Sequence, residues 1–131
     1  MKNDLTVSNG DIVPIVVKNG LGAVIKPLVD EILLDSSFIA GTSHIEDDSV
    51  FEDLEKGTTL VLKREADNKF DKYAVLVLNE KHEKLGYIPR QNNKVYARLM
   101  DAGKVLKGKV LEIYAEEYYW TIKFNIYMMD F

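Results

Sequence analysis

The sequence feature that most constrains this chain is a strict alternation of apolar and polar side chains close to its last residues. The apolar positions are Trp120, Ile122, Phe124, Ile126 and Met128, and the positions that alternate with them are Tyr119, Thr121, Lys123, Asn125 and Tyr127. Because successive side chains of a β-strand point to opposite faces, this pattern predicts a strand over residues 119–128 with one buried face. Residues 107–114 supply a second strand, and the connection around Ala-Glu-Glu at residues 115–117 predicts a hairpin.

Shorter apolar runs predict the rest of a mainly β fold, with one or two helices. They cover residues 37–41, 59–63, 73–78 and 85–88. Residues 73–78 are apolar at six successive positions, which is typical of a central strand covered on both faces. About six strands with one inserted helix predict a small, strongly curved β-barrel, and an OB-like barrel is the leading form.

An N-terminal extension is predicted to hold one more strand and a helix. Residues 11–17 contain Pro14 and predict an edge strand, because proline cannot donate a ladder hydrogen bond. A helical apolar stripe follows, formed by Val24, Ile25, Leu28, Val29, Ile32 and Leu33. It predicts an amphipathic helix that ends near Asp35. This stripe has to pack either against the core of the same domain or against a second copy of the protein.

A second helix is predicted from a cap at Asn92 or Asn93 to about Ala102, with Gly103 as the residue that ends it. Its apolar face is predicted to consist of Val95, Tyr96, Leu99 and Met100. If the helix begins early enough, Arg90, Lys94 and Arg98 form a basic line along the opposite face, because residues four apart share one face.

The charge distribution is uneven. The formal net charge is −4, yet residues 56–109 hold 13 of the 17 Lys and Arg and only 6 of the 21 Asp and Glu. An acidic protein with such a segment can still present one basic face, and a basic face attracts phosphate whatever the total charge. The alternative is that these charges only solvate a surface.

The sequence also favours some classes of protein over others. It contains no cysteine, so it has neither disulfides nor thiolate metal sites. Its longest apolar runs, of about six residues, fall far short of the roughly 20 that span a membrane, and no signal-peptide pattern is present. We therefore predict a soluble cytoplasmic protein that does not contact membranes and uses no cofactor and no metal.

Signatures of catalysis are weak. There is no phosphate-binding GxxxxGK[ST] loop, and the two histidines do not form an HExxH motif. Ser43 and His44 are neighbours but lack the acid and the oxyanion hole of a catalytic dyad. Glu65, Asp67 and Asp71 could form the magnesium site of a nuclease, which remains the least favoured alternative to a non-enzyme.

Aromatic side chains among basic ones favour nucleic-acid binding. Bases stack on aromatic faces while cations follow the phosphate backbone. The aromatics that can reach a surface are Phe70, Tyr87, Tyr96, Tyr119 and Trp120, and the basic residues near them in sequence are Arg64, Lys72, Arg90 and Lys94. Core packing is the alternative for each aromatic, and it applies most strongly to Trp120 because of the alternation around it.

Residues 38–127 resemble the HIRAN domain. The pieces that carry the resemblance are FIAGTSH, GTTLVLKREADNKFDKYAVLVL, LGYIPR and ARLMDAGK. The family pattern is a strand with a glycine, then L-x-R-E/D-P-x-N-P-x-D-x-x-A-I-x-V, then G-Y/H-I/L-P-R/K and a helix. Two prolines of that pattern are Ala66 and Lys69 here. The resemblance implies a HIRAN-like β-barrel domain over residues 36–131, preceded by residues 1–35 as the extension with its amphipathic helix.

The resemblance also implies a function. The family occurs at the front of some DNA-remodelling helicases, where it captures the free 3′-hydroxyl end of single-stranded DNA, and as stand-alone bacterial proteins. By motif position, Phe70 would stack on a base, Asp71 would accept the hydrogen bond of the 3′-hydroxyl, and Asn68 would contact the end nucleotide. An alternative for Asp71 is that it only accepts backbone N–H bonds within its own loop, as aspartates in turns often do.

Further positions follow from the same resemblance. Ser43 and His44 fall where the helicase version has an arginine and a tyrosine. Tyr87 and Arg90 fall on another contact surface, with Arg90 on phosphate. Lys94 follows on the basic helix face, and Tyr119 or Trp120 lies near the last family aromatic.

The sequence thus predicts a non-enzymatic module that binds single-stranded DNA at its 3′ end. A helicase or nuclease acting in trans is a further predicted partner, since no motor motif is present, and the oligomeric state stays open. The alternative is a protein-interaction module on the same fold without DNA binding.

Overall fold

The structure, a computed structural model, describes residues 30–130 of the 131-residue chain. Six strands and one helix follow one another along the chain, and two short 3₁₀ turns, Thr42–His44 and Asp48–Phe51, lie between the first two strands. The strands are β1 (Asp30–Phe38), β2 (Thr59–Arg64), β3 (Val75–Leu78), β4 (Lys84–Tyr87), β5 (Val105–Ala115) and β6 (Trp120–Asp130), and the helix is α1 (Asn93–Asp101).

The six strands form one sheet in the order β1-β6-β5-β2-β3-β4. The hairpin of β5 and β6 is its longest ladder, and it pairs Val105 with Met129 at one end and Ala115 with Trp120 at the other. Ile122, Phe124 and Ile126 are fully buried, which confirms the face predicted from the alternation. The predicted mainly β, OB-like fold is confirmed, although the strands form an open sheet and not a closed barrel.

A one-residue bridge links the chain that leaves β1 to the opposite edge of the sheet. Ala40 N–H donates to Tyr87 O at 2.8 Å, and Tyr87 N–H donates to Ala40 O at 2.9 Å. This approach requires glycine at position 86, because a Cβ there would lie 2.3 Å from the Ala40 carbonyl oxygen. The bridge curves the sheet, so that residues after β1 lie beside β4.

Helix α1 packs on the core through Tyr96 and Ala97, which are buried. The predicted apolar face was wrong at Val95, which is 55% exposed. The buried positions of the helix are Asn93, Tyr96 and Ala97, which are three and four residues apart, and Val95 lies outside that stripe. Tyr96 Oη donates to Asp35 Oδ2 at 3.1 Å, and burial followed by this bond raises the pKa of Tyr96 to about 12.

The predicted end of the helix was right. Lys104 N–H donates to Leu99 O and Gly103 N–H donates to Met100 O, both at 3.0 Å. Gly103 has a φ of 94°. These two bonds and the left-handed glycine form a Schellman motif, which satisfies the last carbonyl groups of the helix.

The helix predicted to end near Asp35 is wrong over its last residues, because β1 begins at Asp30. Ile32 and Leu33 are exposed strand residues. Pairing with β6 outweighs the local helical period, since β1 gains backbone hydrogen bonds from this one neighbour as an edge strand of the sheet. Residues 24–29, the predicted strand over residues 11–17 and most of the extension lie outside the described residues, so the boundary at residue 35 stays a prediction.

Across residues 30–130, no helix is both long enough and apolar enough to cross a membrane.

Candidate functional site

The loop between β2 and β3, residues 65–74, is held by the side chain of Asn68. Asn68 Oδ1 accepts hydrogen bonds from the backbone N–H of Phe70 at 2.8 Å and of Asp71 at 2.9 Å. Its amide Nδ2 donates to Glu65 Oε1 at 2.7 Å. One side chain therefore fixes the backbone on both sides of residue 69 without the prolines of the family pattern. We call residues 65–74 the Asn68 loop.

Both oxygens of the Asp71 carboxylate have partners within the protein. Oδ1 accepts from the Tyr73 backbone N–H at 2.9 Å, and Oδ2 accepts from Asn93 Nδ2 at 2.7 Å. Arg90 Nε lies 3.5 Å from Oδ2 in a looser ion pair. The side chain of Asp71 keeps 18% of its surface exposed, so the carboxylate is attached to the fold but remains accessible at its rim.

Phe70 projects from this fixed backbone into solvent. The residue is 87% exposed, which confirms the prediction that it lies at the surface and rules out the core-packing alternative for this position. Its carbonyl oxygen accepts from Arg90 Nη2 at 2.7 Å. A large apolar ring on an ordered loop loses little conformational entropy when it binds a flat partner.

Glu65 links the Asn68 loop to β4. Its Oε1 accepts from Tyr87 Oη at 2.8 Å in addition to Asn68. The bond from Asn68 is the largest cause that lowers the pKa of Glu65, and the Tyr87 bond acts in the same direction against partial burial. Lys84 Nζ lies 4.6 Å from the centre of the Tyr87 ring, so a cation covers that aromatic face.

Arg64, at the end of β2, holds the other side of the loop. Its guanidinium donates to the carbonyl oxygens of Lys72 at 2.6 Å and Ala74 at 3.0 Å. It also pairs with Asp101 of α1, with Nε 3.0 Å from Oδ1. The side chain is only 16% exposed, and its charge is paired with Asp101, so Arg64 acts as a structural anchor of the loop.

The sequence of the chain matches the HIRAN domain family model over residues 35–129. The chain belongs to the HIRAN domain family. Among curated proteins, none matches the chain. Among solved structures, it is similar to a crystal structure of a protein from Lactobacillus plantarum, with 29% identity and a TM-score of 0.74 over 79% of this chain and 99% of that one.

Two further structures support the fold. The crystal structure of the HIRAN domain of human HLTF shares 19% identity, with a TM-score of 0.60 over 76% of this chain and 78% of that one. An NMR structure of the HLTF HIRAN domain shares 16% identity, with a TM-score of 0.51 over 76% of this chain and 79% of that one. At these identities the likeness concerns the fold alone.

The residues predicted from the HIRAN pattern fall into two groups, one around the Asn68 loop and one around the 3₁₀ turn after β1. Asn68, Phe70, Asp71, Tyr87 and Arg90 are joined by the contacts given above. Ser43 and His44 are exposed in the 3₁₀ turn Thr42–His44. This turn contacts β4 and β6, and no bond between it and the Asn68 loop is present in the described residues.

Trp120 belongs to the second group. Its ring stacks on Phe51, with ring centres 5.8 Å apart and an interplanar angle of 25°. The residue is half-buried and packs against the core, and its carbonyl oxygen accepts from Thr42 Oγ1 at 2.6 Å. The core-packing alternative therefore accounts for most of this side chain. The neighbouring Tyr119 is 49% exposed.

The predicted basic line along α1 holds only in part. Lys94 and Arg98 are exposed on the helix, but Arg90 precedes the helix and bonds to the Asn68 loop instead. The sequence reasoning missed Tyr73, whose ring is surrounded by Lys72, Lys94 and Arg98. Two features of the sequence could have indicated it. Lys72 is adjacent to Tyr73, and the next helix carries two basic residues four positions apart, Lys94 and Arg98.

The acidic residues considered for a magnesium site do not form one in the part of the chain that the structure describes. Within residues 30–130, no group of three or more His, Asp or Glu side chains is arranged to hold a metal ion. Glu65 faces Asn68 and Tyr87, while Asp71 faces Tyr73, Asn93 and Arg90.

Proposed function

We propose that this protein is a DNA-binding module that recognises single-stranded DNA at its 3′-hydroxyl end. The observation that carries the proposal is the exposed ring of Phe70, 87% accessible, on a loop whose backbone is fixed by hydrogen bonds. An exposed aromatic on a rigid scaffold is the element that single-strand binding needs, because each base offers a face for stacking.

Arg90 supplies the charge next to that ring. Its side chain is 73% exposed and donates to the Phe70 carbonyl oxygen. Besides this bond and the looser contact of Nε with Asp71 Oδ2 at 3.5 Å, the guanidinium has further N–H donors that fit a phosphate oxygen. Guanidinium groups bind phosphate through two parallel hydrogen bonds. Stacking at Phe70 and phosphate pairing at Arg90 would then hold adjacent parts of one nucleotide.

The carboxylate of Asp71 is the group that would make the site prefer a 3′-hydroxyl. An ionised carboxylate offers about four lone-pair sites, and two strong bonds, from Tyr73 and Asn93, occupy only part of them. A carboxylate repels phosphate but accepts readily from a hydroxyl. A terminal 3′-OH beside the Phe70 ring would therefore be favoured over a chain that continues through a phosphate.

The other predicted residues take supporting parts in this proposal. Asn68 contacts the end nucleotide through the loop that it shapes, and Tyr87 and Lys94 line the phosphate path. Ser43 and His44 lie on an exposed turn that offers an imidazole for a second stacked base. Trp120 would offer only one edge of its ring to the DNA, since most of the ring packs on Phe51.

The biological setting is part of the same proposal. A chain that binds a DNA end without a motor motif acts with a helicase or nuclease supplied in trans. It does so in the cytoplasm, in DNA repair.

A protein-interaction module on the same fold is the second candidate. The observation that favours it is the tip of the β5–β6 hairpin, where Tyr118 is 83% exposed and Tyr114 is 50% exposed. Exposed tyrosines are common anchors at protein interfaces.

Fluorescence anisotropy with a labelled 3′-OH oligonucleotide separates these candidates. Phe70→Ala should weaken binding by about 1–3 kcal/mol without loss of stability, while Tyr118→Ala, which removes another exposed ring, should leave binding unchanged. Equal losses in the two variants, or no binding by the wild type, would reject the proposal. Cleavage of the oligonucleotide only when magnesium is added would instead indicate a nuclease.

A further inference from the structure

Three cationic side chains surround one aromatic ring beside the Asn68 loop. Lys72 Nζ lies 5.2 Å from the centre of the Tyr73 ring, Lys94 Nζ lies 5.5 Å from it, and Arg98 Cζ lies 5.9 Å from it. Lys72 comes from the loop, while Lys94 and Arg98 come from successive turns of α1. We call Lys72, Lys94 and Arg98 the Tyr73 triad.

The triad carries positive charge that no acidic side chain of the described residues neutralises. Ion pairs within residues 30–130 involve Arg64, Lys81, Arg90, Lys107 and Lys109. None involves a member of the triad, and all three members are exposed. Because the three charges share one ring centre, two of them cannot be separated by much more than the Debye length of about 10 Å at 0.1 M salt.

Such an arrangement favours an anionic ligand. Like charges held close together repel one another, and a bound phosphate removes that repulsion while it releases counterions. The ring also offers a hydroxyl, whose oxygen lies 3.5 Å from Arg98 Nη2. The triad lowers the pKa of the Tyr73 hydroxyl, first through the bond from Arg98 and then through the charges of Lys72, Lys94 and Arg98.

The triad is joined directly to the candidate end-binding site. Tyr73 N–H donates to one oxygen of Asp71, and Asn93, which precedes Lys94, donates to the other. A strand whose last nucleotide lies at Phe70 and Asp71 therefore ends beside three cations that form no ion pair within residues 30–130. A shallow groove continues along α1 past Lys94 and Arg98, with Val95 and Leu99 in its wall.

We propose that the Tyr73 triad binds the backbone phosphates of the nucleotides that precede the 3′ end, so that the bound strand runs from the Asn68 loop across α1. This inference rests on the proposed function and adds to it the direction in which the bound strand runs and the number of nucleotides that the protein contacts. Terminal recognition would use one or two nucleotides at Phe70 and Asp71. The triad would extend the footprint by two or three phosphates and make affinity depend on oligonucleotide length.

The test compares oligothymidylates of four and twelve nucleotides, both with a free 3′-OH and a 5′ fluorophore. The variant Lys72→Gln/Lys94→Gln/Arg98→Gln removes the triad. The variant Lys56→Gln/Lys104→Gln/Lys123→Gln removes the same charge at positions that also have no acidic partner in the described residues. Thermal unfolding and circular dichroism establish that both variants are folded.

The wild type should bind the 12-mer more tightly than the 4-mer. The triad variant should lose affinity for both oligonucleotides, with the larger loss for the 12-mer, because only the longer strand extends past all three members of the triad. With single-stranded DNA, each lost phosphate contact should flatten the log–log salt dependence by about 0.7, so the loss of three contacts corresponds to about 2. The control variant should keep the preference for the 12-mer. Its log–log salt slope should stay within about 0.7 of the wild-type slope, which corresponds to one phosphate contact.

Other outcomes overturn the inference in distinguishable ways. A preference for the 12-mer that survives in the triad variant, or that falls equally in the control, would reject the triad as the phosphate path. If Phe70→Ala still weakened the binding of both oligonucleotides, the proposed end binding would stand without the triad. A wild type that bound neither oligonucleotide but bound polyglutamate through the triad would reject both proposals and indicate an acidic protein partner.

Discussion

Asn93 Nδ2, in the first turn of α1, donates a hydrogen bond of 2.7 Å to Oδ2 of Asp71 in the Asn68 loop. Asn93 is 2% exposed, so this bond lies away from competing water. It fixes the position of the carboxylate relative to the helix that carries Lys94 and Arg98. The loop with its exposed Phe70 and the basic side of α1 are therefore parts of one rigid arrangement.

Replacement of Asn93 by alanine should destabilise the protein by about 1–3 kcal/mol, because it removes a buried donor to a charged acceptor. Chemical denaturation measures this loss. Asn92→Ala is the matched control, since Asn92 makes no side-chain capping bond and its buried Oδ1 has no partner in the described residues. We expect Asn92→Ala to change the free energy of unfolding far less, and equal losses would contradict the role of the Asn93 bond.

End recognition should distinguish a 3′-hydroxyl from a 3′-phosphate. A hydrogen bond from the hydroxyl to an ionised carboxylate contributes about 1.5–3 kcal/mol, whereas a phosphate at the same place is repelled. The 3′-OH oligonucleotide should therefore bind more tightly than its 3′-phosphorylated counterpart in anisotropy measurements at one salt concentration. Asp71→Asn should narrow the difference.

The protein must be folded for that comparison, since Asp71 also accepts bonds from Tyr73 and Asn93. Asn keeps one acceptor oxygen, so the Tyr73 bond can persist in the variant. Equal affinities of the wild type for the two ends would leave Asp71 as a structural residue of its own loop and would remove the end-recognition proposal.

The stability of the Asn68 loop should depend on pH through Glu65. Hydrogen bonds, first from Asn68, lower the pKa of Glu65 below its usual value of 4.5. A lowered folded-state pKa means that this contribution is present above the unfolded value and is lost as pH falls through the folded one. Acidification from pH 6 to pH 3 should therefore destabilise the wild type more than Glu65→Gln.

Thermal unfolding across that pH range measures the effect. Glu65→Gln should be less stable than the wild type by up to about 1 kcal/mol near neutral pH, and the two curves should approach each other in acid. A constant difference at all pH values would show that the charge of Glu65 does not contribute. Glu31 and Asp47 also have lowered pKa values, but they are common to both proteins.

Gly86 should tolerate no side chain. A Cβ at this position would lie 2.3 Å from the Ala40 carbonyl oxygen and 2.6 Å from a methyl carbon of Ile39. Gly86→Ala should therefore break the bridge between Ala40 and Tyr87 and cost at least about 3 kcal/mol. The control is Gly57→Ala, which also has a positive φ, of 90°, but no atom within 4 Å of its Cβ.

Gly57→Ala should cost only the strain of a left-handed alanine, about 1–2 kcal/mol. Denaturation curves of the two variants give the comparison. If they lost the same free energy, the close contact of Gly86 with Ala40 would not be important for the fold.

The local sequence pattern by itself determined those elements whose local conformational preference agrees with their tertiary environment. The alternation around Ile122, Phe124 and Ile126 predicted β6, because burial of one face of a strand leaves a direct trace in the order of residues. Gly103 predicted the end of α1, because the left-handed conformation that ends a helix favours glycine. The exposure of Phe70 followed from the charged residues around it.

Only the tertiary structure decided the elements that depend on distant partners. Residues 30–35 have a helical period, yet they pair with β6, which lies about 90 positions later in the sequence. The Tyr73 triad joins Lys72 to two residues of α1 more than 20 positions away. The bond from Asn93 to Asp71 was likewise not visible in the sequence, because it exists only after the helix packs against the loop. Local periodicity reports which face a residue prefers, whereas the choice of neighbour is made by the packing of the whole domain.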